Sequence, residues 1–449
     1  MRERKRKKRS TIFRIFLLPL ISIMLLQSAI TIGTLVVRRT AATLEEYSGS
    51  MMARLVENRG VILQNDMGQW ASVYEQEPLL NGLLKEHLEQ EGVSLDTLLG
   101  SEELRSSLLD RMFPECVDIL QNSTTTGLFL ILTDRGAERA GELDGFYIRD
   151  SDPDTNPAND SDLLLERGSK QLSRRWGIPL DTNWTTRFHM DGQGVDEADR
   201  YFYAPWQAGT DYPDADTADL GCWSPPFSLE KTAADPHEMI AYSLPLRYKG
   251  QIYGVLGVEI SCRSLYDYFP VAELNDAQQS GYMLAVRKGD GRYMPLVGKG
   301  ILSDQVRAVG DSFTLEDTPY QGLSRVLGAE LNRQGVYAVE RPLKLYSDNV
   351  PYEDTQWALL GMDTEEDLFG MSRQLYLWMV SAVLIGLAFG VVGIYLMVQH
   401  LTQPVQRLME CISRGPTGLQ EFRPSNILEV DALYDVVTGL TEQQKKAEN

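Results

Sequence analysis

Cysteine and histidine are scarce in this sequence, with four of each among 449 residues. Four cysteines are too few for the dense disulfide framework of small secreted scaffolds. The zinc-protease pattern H-E-x-x-H and the hydrolase pattern G-x-S-x-G are both missing. No kinase histidine box, nucleotide-binding glycine loop, GGDEF run or helix-turn-helix follows Ile427. We therefore expect no catalytic residues, no cofactor and no metal site in this chain.

Positive charge is also scarce outside the two ends of the chain. The formal net charge is −20, while residues 1–14 carry +7 and residues 399–449 carry −2. The stretch 38–374 therefore has a net charge of −25, because the two segments between these regions carry no charge. A body this acidic repels phosphate backbones, so we expect no nucleic-acid partner.

The two uncharged segments, residues 15–37 and 375–398, are the long apolar runs of the sequence. Each exceeds the roughly 20 residues that a helix needs to cross a bilayer. The first could instead be a cleaved signal peptide, but its apolar run is long and no small-residue cleavage site follows it. The second could be a buried core helix, but Tyr and Trp near one of its ends favour a membrane interface. The sequence predicts two transmembrane helices.

The basic cluster at residues 2–9 orients these helices, because loops rich in Lys and Arg stay in the cytoplasm. Both termini are then cytoplasmic and residues 38–374 lie outside.

Cys411 is inside, and at most one pair can form among the three external cysteines. We interpret these as buried free thiols, and a bridge between Cys222 and Cys262 stays open.

The external part changes from a helical to a strand-rich pattern. Apolar residues recur at three-four spacing over residues 38–108, which predicts a long helix leaving the membrane. The strand candidates that follow are residues 124–134, 145–153, the hairpin 239–261 turning at Lys249-Gly250, 281–296 turning at Gly289–Gly291, 335–346 and 355–363. The predicted fold class is α+β, with two successive antiparallel sheets in modules 109–270 and 271–370.

Several phrases resemble double Cache domains, the tandem PAS-like sensor domains of bacterial signalling proteins. These phrases include "FYIRDSDPDTNPANDSDLLLERGS", "LGCWSPPF" and "YSLPLRYKGQIYGVLGVEIS", and they look like Cache domains of clostridial proteins. The resemblance covers roughly residues 38–370. It implies an extracytoplasmic sensor in the bacterial cell membrane whose membrane-distal module binds a small molecule.

The amino-acid-binding subset of such domains carries a Tyr, then Arg-x-Trp-Tyr, and an Asp at the end of a later strand. Here Arg200 is followed by Phe202 and Tyr203, and Glu259 takes the place of the Asp. The resemblance implies that the guanidinium clamps a ligand carboxylate and the acid receives an ammonium group. Phe202 replaces the Trp and Val195 the first Tyr, so another small polar or aromatic ligand stays an alternative.

Two further groups of residues are weaker candidates for ligand contact. Trp206, Trp223 and Tyr242 could line the pocket or pack in the core. The run "DSDPDTN" at 150–156 alternates acids as a calcium loop does, but it has Thr155 where Gly is needed and Ser161 where Glu is needed. We interpret that run as a solvated loop.

Residues 399–449 resemble a HAMP domain, with a helix, a connector broken by Gly and Pro, and a second helix. Apolar residues recur along both helices, and the seam of the second helix reaches the printed C-terminus. A HAMP domain is a parallel four-helix coiled coil of two subunits, so the resemblance implies a homodimer; an amphipathic juxtamembrane tail is the alternative. The implied signal-relay residues are Pro404, Leu408, Glu429, Leu433, Val437 and Leu440.

The predicted function is a transmembrane receptor that binds a small ligand between Arg200 and Glu259 and relays the signal through the HAMP helices. Its expected partners are the ligand, a second copy of the chain and membrane lipid. Two alternatives stay open. The chain could be the sensory part of a diguanylate cyclase or histidine kinase whose catalytic domain lies beyond residue 449, or an accessory receptor acting on a partner kinase.

Overall fold

A computed structural model describes residues 12–134, 141–153, 159–192, 199–230, 236–275, 279–320, 322–425 and 427–448. Contacts divide the chain into a compact unit, Tyr47–Leu368, and a second unit made of the residues before and after it. The basic cluster at residues 2–9 lies outside the described residues, as do Asp154 and Asn156 of the acidic run, and Val195.

The N-terminal part of the chain is helical, but not as one helix. The helix that contains the first apolar segment continues to Ala71, where a 3₁₀ turn, Ser72–Gln76, begins. Gly92 ends a later helix in the left-handed conformation, with φ of 67°. The prediction of an uninterrupted helix over 38–108 is therefore corrected. The helices are α1 Ile12–Ala71, α2 Glu77–Glu91, α3 Leu95–Gly100 and α4 Glu102–Asn122.

Seven of the strands that follow form the first sheet, in the order β5-β4-β3-β1-β9-β8-β7. Its neighbouring strands are antiparallel except for β4 and β5, which are parallel. β2 and β6 form a separate pair. The elements are β1 Gly127–Leu132, β2 Gly141–Leu143, β3 Gly145–Asp150, β4 Leu163–Arg167, α5 Lys170–Trp176, β5 Leu180–Thr185, β6 Phe188–Met190, α6 Arg200–Asp211, α7 Thr217–Leu220, β7 Cys222–Trp223, β8 Met239–Tyr248, β9 Gln251–Ser261 and α8 Cys262–Leu265.

The hairpin of β8 and β9 is confirmed at its predicted turn. Lys249 and Gly250 connect the strands, with φ of 52° and 83°. Positive φ at both central residues gives the turn a twist that matches the twist of the paired strands.

The two faces of the first sheet pack against different helices. Side chains alternate along a strand, so Glu259 and Val258 of β9 lie on opposite faces. The face of Glu259 carries an aromatic cluster in which Tyr201 of α6 stacks on Phe227, with ring centroids 4.4 Å apart. On the other face, Phe113 of α4 packs edge-on against Phe146 of β3.

The second sheet has the order β11-β10-β15-β14-β13-β12 and is antiparallel throughout. It confirms the predicted strands at 281–296, 335–346 and 355–363, and it adds β12 and β13, which the sequence pattern did not indicate. The elements are β10 Gly281–Arg287, β11 Tyr293–Lys299, α9 Ile301–Arg307, β12 Leu315–Asp317, β13 Ser324–Leu331, β14 Gln334–Leu343 and β15 Gln356–Thr364.

Two glycines let α1 approach the second sheet closely. A Cβ atom on Gly361 of β15 would collide with Val56, and one on Gly60 of α1 would lie 2.5 Å from Cδ of Arg341. Glycine lowers the stability of a helix, but here it leaves the space that the Arg341 side chain occupies as it crosses α1. Arg341 then hydrogen-bonds Gln64 of α1 with Nη1, at 2.7 Å.

The remaining unit contains α10 Glu365–Ser413, α11 Gly415–Leu419 and α12 Leu428–Glu448. Among the described residues, two helices are long and apolar enough, by length and composition, to cross a membrane. They include the two segments that the sequence predicts to be transmembrane. Within this unit α1 and α10 meet where a Cβ atom on Gly386 would collide with Ile30.

All four cysteines are free, and Cys116, Cys222 and Cys262 are buried. The interpretation of the external cysteines as buried thiols is confirmed, and the bridge between Cys222 and Cys262 does not form.

Candidate ligand-binding site

Charged side chains gather at one end of the α6 face of the first sheet. We call this group the polar cluster; its members are Arg149, Glu166, Asp181, Glu230, His237 and Glu259. They come from four strands and from the segment between β7 and β8. Glu166 and Glu259 are almost completely buried, whereas Arg149 and His237 keep about a fifth of their side-chain surface exposed. The cluster therefore reaches solvent through its two basic members.

Strand register brings Arg149 and Glu259 to the same face. Gly127 of β1 pairs with Arg149 of β3 on one side and with Glu259 of β9 on the other. Directly opposed residues of antiparallel strands point to the same face. Gly127 has no side chain, so the space between the guanidinium and the carboxylate is not filled by the strand that separates them.

Arg149 is paired with two acids. Its Nε lies 3.0 Å from Oε1 of Glu166, and its Nη2 donates to Oδ2 of Asp181, also at 3.0 Å. Carboxylate oxygens of Glu166, Asp181 and Glu230 all lie within 4.8 Å of one another. This spacing suits a metal ion, but the Arg149 guanidinium already supplies a positive charge to two of the three acids.

Glu259 differs from Glu166 and Asp181 because no arginine pairs with its carboxylate among the described residues, and its nearest possible donors are the Tyr147 hydroxyl and the His237 imidazole. The Glu259 side chain is 0% exposed, and neither Oε1 nor Oε2 accepts a hydrogen bond. The Nε2 atom of His237 lies 3.8 Å from Oε1 of Glu259. His237 and Glu259 form an ion pair only when the imidazole is protonated. Burying an unpaired carboxylate costs stability. A group that costs stability in the free protein is a candidate for ligand recognition.

Burial and neighbouring charges change the protonation of the cluster. Burial raises the pKa of Glu166 to about 7, and the charge of Arg149 opposes this shift only in part. Burial by itself lowers the pKa of His237, but the nearby Glu259 carboxylate outweighs it and the net shift is upward. Burial, with help from Glu259 and Glu166, raises the pKa of Tyr147 well above its ordinary value. Glu166 therefore titrates near neutral pH, and the pKa of His237 is higher than that of a free imidazole.

The residues predicted to bind ligand divide between two parts of the first sheet. Phe202 and Tyr203 of α6 belong to the aromatic cluster on the face of Glu259. Burial and nearby aspartates raise the pKa of Tyr203 to about 12. Trp223 and Tyr242 lie on the other face, since Tyr242 pairs with Val258 and Trp223 pairs with Tyr242. There Trp223 contacts Trp70 and Trp357, so its role in packing is evident.

Arg200 and Glu259, both described, form no ion pair with each other. Burial raises the pKa values of Cys222, Tyr346 and Tyr352, and the charge of Arg200 opposes each rise. Arg200 is therefore close to these three groups. The predicted binding of a ligand between Arg200 and Glu259 stays a prediction; the guanidinium that pairs with the buried acids of the cluster is that of Arg149.

Sequence reasoning missed Arg149, Glu166, Asp181, Glu230 and His237. One signal was available, because β3 and β4 are largely buried strands that carry charged residues, among them Arg149 and Glu166. A charge in a buried strand needs a partner, but the sequence does not say which strands are neighbours.

The predicted relay residues lie in the unit outside Tyr47–Leu368. α10 continues through Pro404, so the predicted first HAMP helix is an extension of the apolar helix rather than a separate element. Leu408 is buried with Ile427 and Val430. Glu429 is in the first turn of α12.

The remaining seam residues point away from the rest of the described chain. Leu433 is 53% exposed and Leu440 is 60% exposed. Val437, between them, is half-buried. The later part of the α12 seam, at Leu433 and Leu440, is therefore exposed in the described residues, whereas its start at Val430 is buried with Leu408 of α10.

No family model matches the chain, and no curated protein matches it. Solved structures with a detectable likeness are sensor domains. The ligand-binding domain of the Pseudomonas fluorescens chemoreceptor CtaA, in complex with L-isoleucine, is 14% identical, with a TM-score of 0.36 over 74% of this chain and 98% of that one. The sensory domain of the Campylobacter jejuni chemoreceptor Tlp1 is 13% identical, with a TM-score of 0.36 over 71% and 96%. The extracellular domain of the putative histidine kinase soHK1S-Z6 is 14% identical, with a TM-score of 0.34 over 74% and 98%. All three likenesses are remote.

Proposed function

We propose that this chain is a membrane receptor that binds a small molecule at the polar cluster of its first sheet. The observation that carries the proposal is the Glu259 carboxylate, which is fully buried and accepts no hydrogen bond of good geometry. A protein that needed this residue only for stability would pair it. A ligand that supplies the missing donors would bind the folded state and stabilise it by mass action.

The membrane part of the proposal rests on α1 and α10. Each contains an apolar segment without charge that is long enough to span a bilayer. With the basic residues at positions 2–9 in the cytoplasm, two spans place the two sheets outside the cell and α12 inside. The double Cache arrangement is the one we propose for the external part, since two successive, largely antiparallel sheets follow a long helix.

The relay part rests on α12. An exposed apolar seam in an amphipathic helix is suited to a coiled coil, and a second copy of the same chain presents the same seam. We propose a homodimer whose HAMP-type helices repack when ligand binds. Ligand can shift that equilibrium only through a difference in its affinity for the two arrangements. Catalysis is assigned to a partner or to an attached output domain.

Ligand screening tests the proposal. The unit Tyr47–Leu368 is compact in its contacts, so it would be purified and heated with panels of amino acids, amines, carboxylates, purines and sugars. We expect at least one class to raise the melting temperature of this unit, and Glu259→Gln to abolish that rise. The control is Glu340→Gln, which alters an acid of the second sheet that accepts a hydrogen bond from Tyr293 at 2.7 Å. If no compound class raises the melting temperature, the proposed function is contradicted. If Glu259→Gln and Glu340→Gln lose the rise in melting temperature equally, the proposed site is contradicted.

A further inference from the structure

One loop of the second sheet contacts two elements of the first sheet module. This loop, residues 344–355, connects β14 with β15, and we call it the coupling loop. We propose that the coupling loop transmits movement of α6 to β15, which continues into α10, and that Tyr352 is the positioning residue of this device. The assignment of that movement to ligand binding rests on the proposed function, whereas the coupling itself is tested without ligand.

The coupling loop is longer than the pairing of its two strands requires. β14 and β15 are antiparallel neighbours, and Leu343 pairs with Trp357 at the loop end of the ladder. Hairpin loops usually have about 2–5 residues. Ordering additional residues costs conformational entropy, so the length of this loop needs a reason beyond closing the hairpin. Its contacts with the first sheet module supply that reason.

Tyr352 connects the coupling loop to α6. Its hydroxyl donates to the main-chain oxygen of Ala204 at 2.8 Å. Ala204 directly follows Phe202 and Tyr203, which belong to the aromatic cluster on the face of Glu259. Because the acceptor is a backbone atom, a displacement of the first part of α6 either moves Tyr352 or breaks this hydrogen bond.

Tyr346 connects the same loop to the edge of the first sheet. β7 is an edge strand, and the main-chain N–H of Trp223 on this strand donates to the Tyr346 hydroxyl at 3.0 Å. The ring centroids of Tyr346 and Tyr352 lie 5.9 Å apart. Two neighbouring tyrosines of one loop thus bind two elements of the first sheet module, α6 and β7.

The other end of the coupling loop leads to the second apolar helix. β15 begins directly after the loop at Gln356, and α10 begins at Glu365, directly after β15 ends. β15 is paired on both sides, with β10 and β14. Coupling between distant sites is carried by packed side chains and rigid secondary elements of this kind. The loop therefore lies between α6, which carries predicted ligand contacts, and a strand that continues into α10.

One added methyl group can displace α6 from the first sheet. A Cβ atom on Gly209 of α6 would lie 2.9 Å from Cβ of Pro245 and 3.0 Å from Cδ1 of Ile252. Alanine favours a helix more than glycine does, so Gly209→Ala keeps α6 helical and pushes it away from the hairpin of β8 and β9. The matched control is Gly82→Ala in α2, since a Cβ atom there has no atom within 4 Å.

Fluorine NMR of the full chain in lipid nanodiscs, labelled with 5-fluorotryptophan, measures the response of β15. Trp357 is 1% exposed and is the second residue of β15; its resonance is assigned by its loss in Trp357→Phe. We expect Gly209→Ala to shift the Trp357 resonance and Gly82→Ala to leave it unchanged. In the Tyr352→Phe background, which lacks only the hydroxyl, Gly209→Ala should no longer shift it.

Tyr293→Phe separates coupling from a general loss of stability. It removes another tyrosine hydroxyl of the second sheet, which donates to Glu340 at 2.7 Å. Losing either hydroxyl bond can lower stability. We expect that only Tyr352→Phe removes the response, so Gly209→Ala in the Tyr293→Phe background should still shift the Trp357 resonance.

A circular dichroism melt shows whether each variant is folded. If Gly209→Ala does not fold, Phe202→Leu replaces it as the perturbation, because the smaller side chain lets α6 move toward the sheet. The expected response of Trp357 and its loss in Tyr352→Phe are the same for both perturbations.

Two outcomes overturn the proposal. A Trp357 response that persists in Tyr352→Phe would mean that movement of α6 reaches β15 by another route, such as the contact between Trp223 and Trp357, whose ring centroids are 6.4 Å apart. The absence of any Trp357 response to Gly209→Ala or Phe202→Leu in the otherwise unmodified chain would mean that α6 and β15 are not coupled. Failure of the ligand screen would contradict the proposed function alone, since no ligand is used in this experiment.

Discussion

Gly127 lies directly beside Glu259 on the neighbouring strand, and a Cβ atom at this glycine would lie 2.6 Å from the Oε1 atom of that carboxylate. The same atom would lie 2.9 Å from the main-chain oxygen of Ile148, which cannot move away easily. A glycine is therefore required where the polar cluster and the sheet meet, and the buried carboxylate keeps its position because no side chain competes for it.

Gly127→Ala should displace the Glu259 carboxylate and weaken ligand binding. We expect a loss of stability of about 1–3 kcal/mol, because an added methyl group in a packed interior forces its neighbours to shift. Calorimetry of ligand binding and chemical denaturation measure the two effects. Gly141→Ala is the matched control, since a Cβ atom there has no atom within 4 Å. If Gly127→Ala and Gly141→Ala changed ligand binding and stability equally, the close approach at Gly127 would not matter for either property.

Glu259→Gln should raise the stability of the ligand-free protein at a pH above that at which His237 loses its proton. The substitution removes a buried charge that accepts no hydrogen bond of good geometry, and we expect a gain of about 1 kcal/mol in the free energy of unfolding. Urea denaturation measures it. A loss of stability instead would mean that the carboxylate is paired in solution and has a structural role.

The stability of the ligand-free protein should fall as the pH rises from about 5 to 8. Burial raises the pKa of Glu166 to about 7 and that of Asp363 to about 7, so the folded state holds protons that the unfolded state has already released. The pKa of His237 is also raised, through Glu259 and against the effect of burial, and a raised histidine pKa acts in the same direction. Stability is lost wherever the folded state binds more protons.

Denaturation at several pH values checks this dependence. Glu166→Gln and Asp363→Asn should each make the profile flatter, and the double variant should make it flatter still. Glu340→Gln, which is not in either environment, should leave the slope as it is. A profile that rises with pH would contradict the assignment of these groups.

Arg59→Ala should detach α1 from the segment between the two sheets. Arg59 Nε and Nη2 donate to the two carboxylate oxygens of Glu273, at 2.9 and 2.8 Å, and Tyr282 donates to the same carboxylate at 2.8 Å. Loss of a two-point, partly buried pair should cost about 1–3 kcal/mol. Denaturation of the unit Tyr47–Leu368 measures the cost. Arg54→Ala, on an exposed side of the same helix, should cost less than about 0.5 kcal/mol.

Leu433→Glu combined with Leu440→Glu should reduce self-association of the chain in detergent. Both leucines are exposed along the proposed dimer seam, and charges placed opposite each other in a coiled coil repel. Analytical ultracentrifugation measures the distribution of monomer and dimer. Val436→Glu is the control, because Val436 is equally exposed, at 59%, but adjacent to the seam rather than on it. A dimer that survives the double substitution would place the dimer contact elsewhere.

The apolar segments and the hairpins could be predicted because their signals are local. The run of residues 375–398 lies inside a continuous helix, and the turn at Lys249-Gly250 has the two positive φ angles that its sequence indicates. The break of the first long helix at Ser72–Gln76 was missed, since "SVYEQEP" contains no glycine and its proline is also suited to the first turn of the next helix.

The candidate site could be predicted only in part. The resemblance pointed to Glu259, Phe202 and Tyr203, and the structure places all three on the same face of the first sheet. The same resemblance placed a ligand between Arg200 and Glu259, whereas in the structure the charge of Arg200 acts on Cys222, Tyr346 and Tyr352. Trp223 and Tyr242 were assigned to the pocket, but strand pairing places them on the opposite face.

The sequence by itself determined the apolar segments, the α+β class, the two successive sheets and the acidic external body, because these follow from composition and from periodicity along the chain. Only the tertiary structure decided which charges meet. Arg149, Glu166 and Glu259 lie on three strands, and Asp181 lies on a fourth. Their contacts depend on strand order and register, and a shift of register by one residue would turn each side chain to the other face.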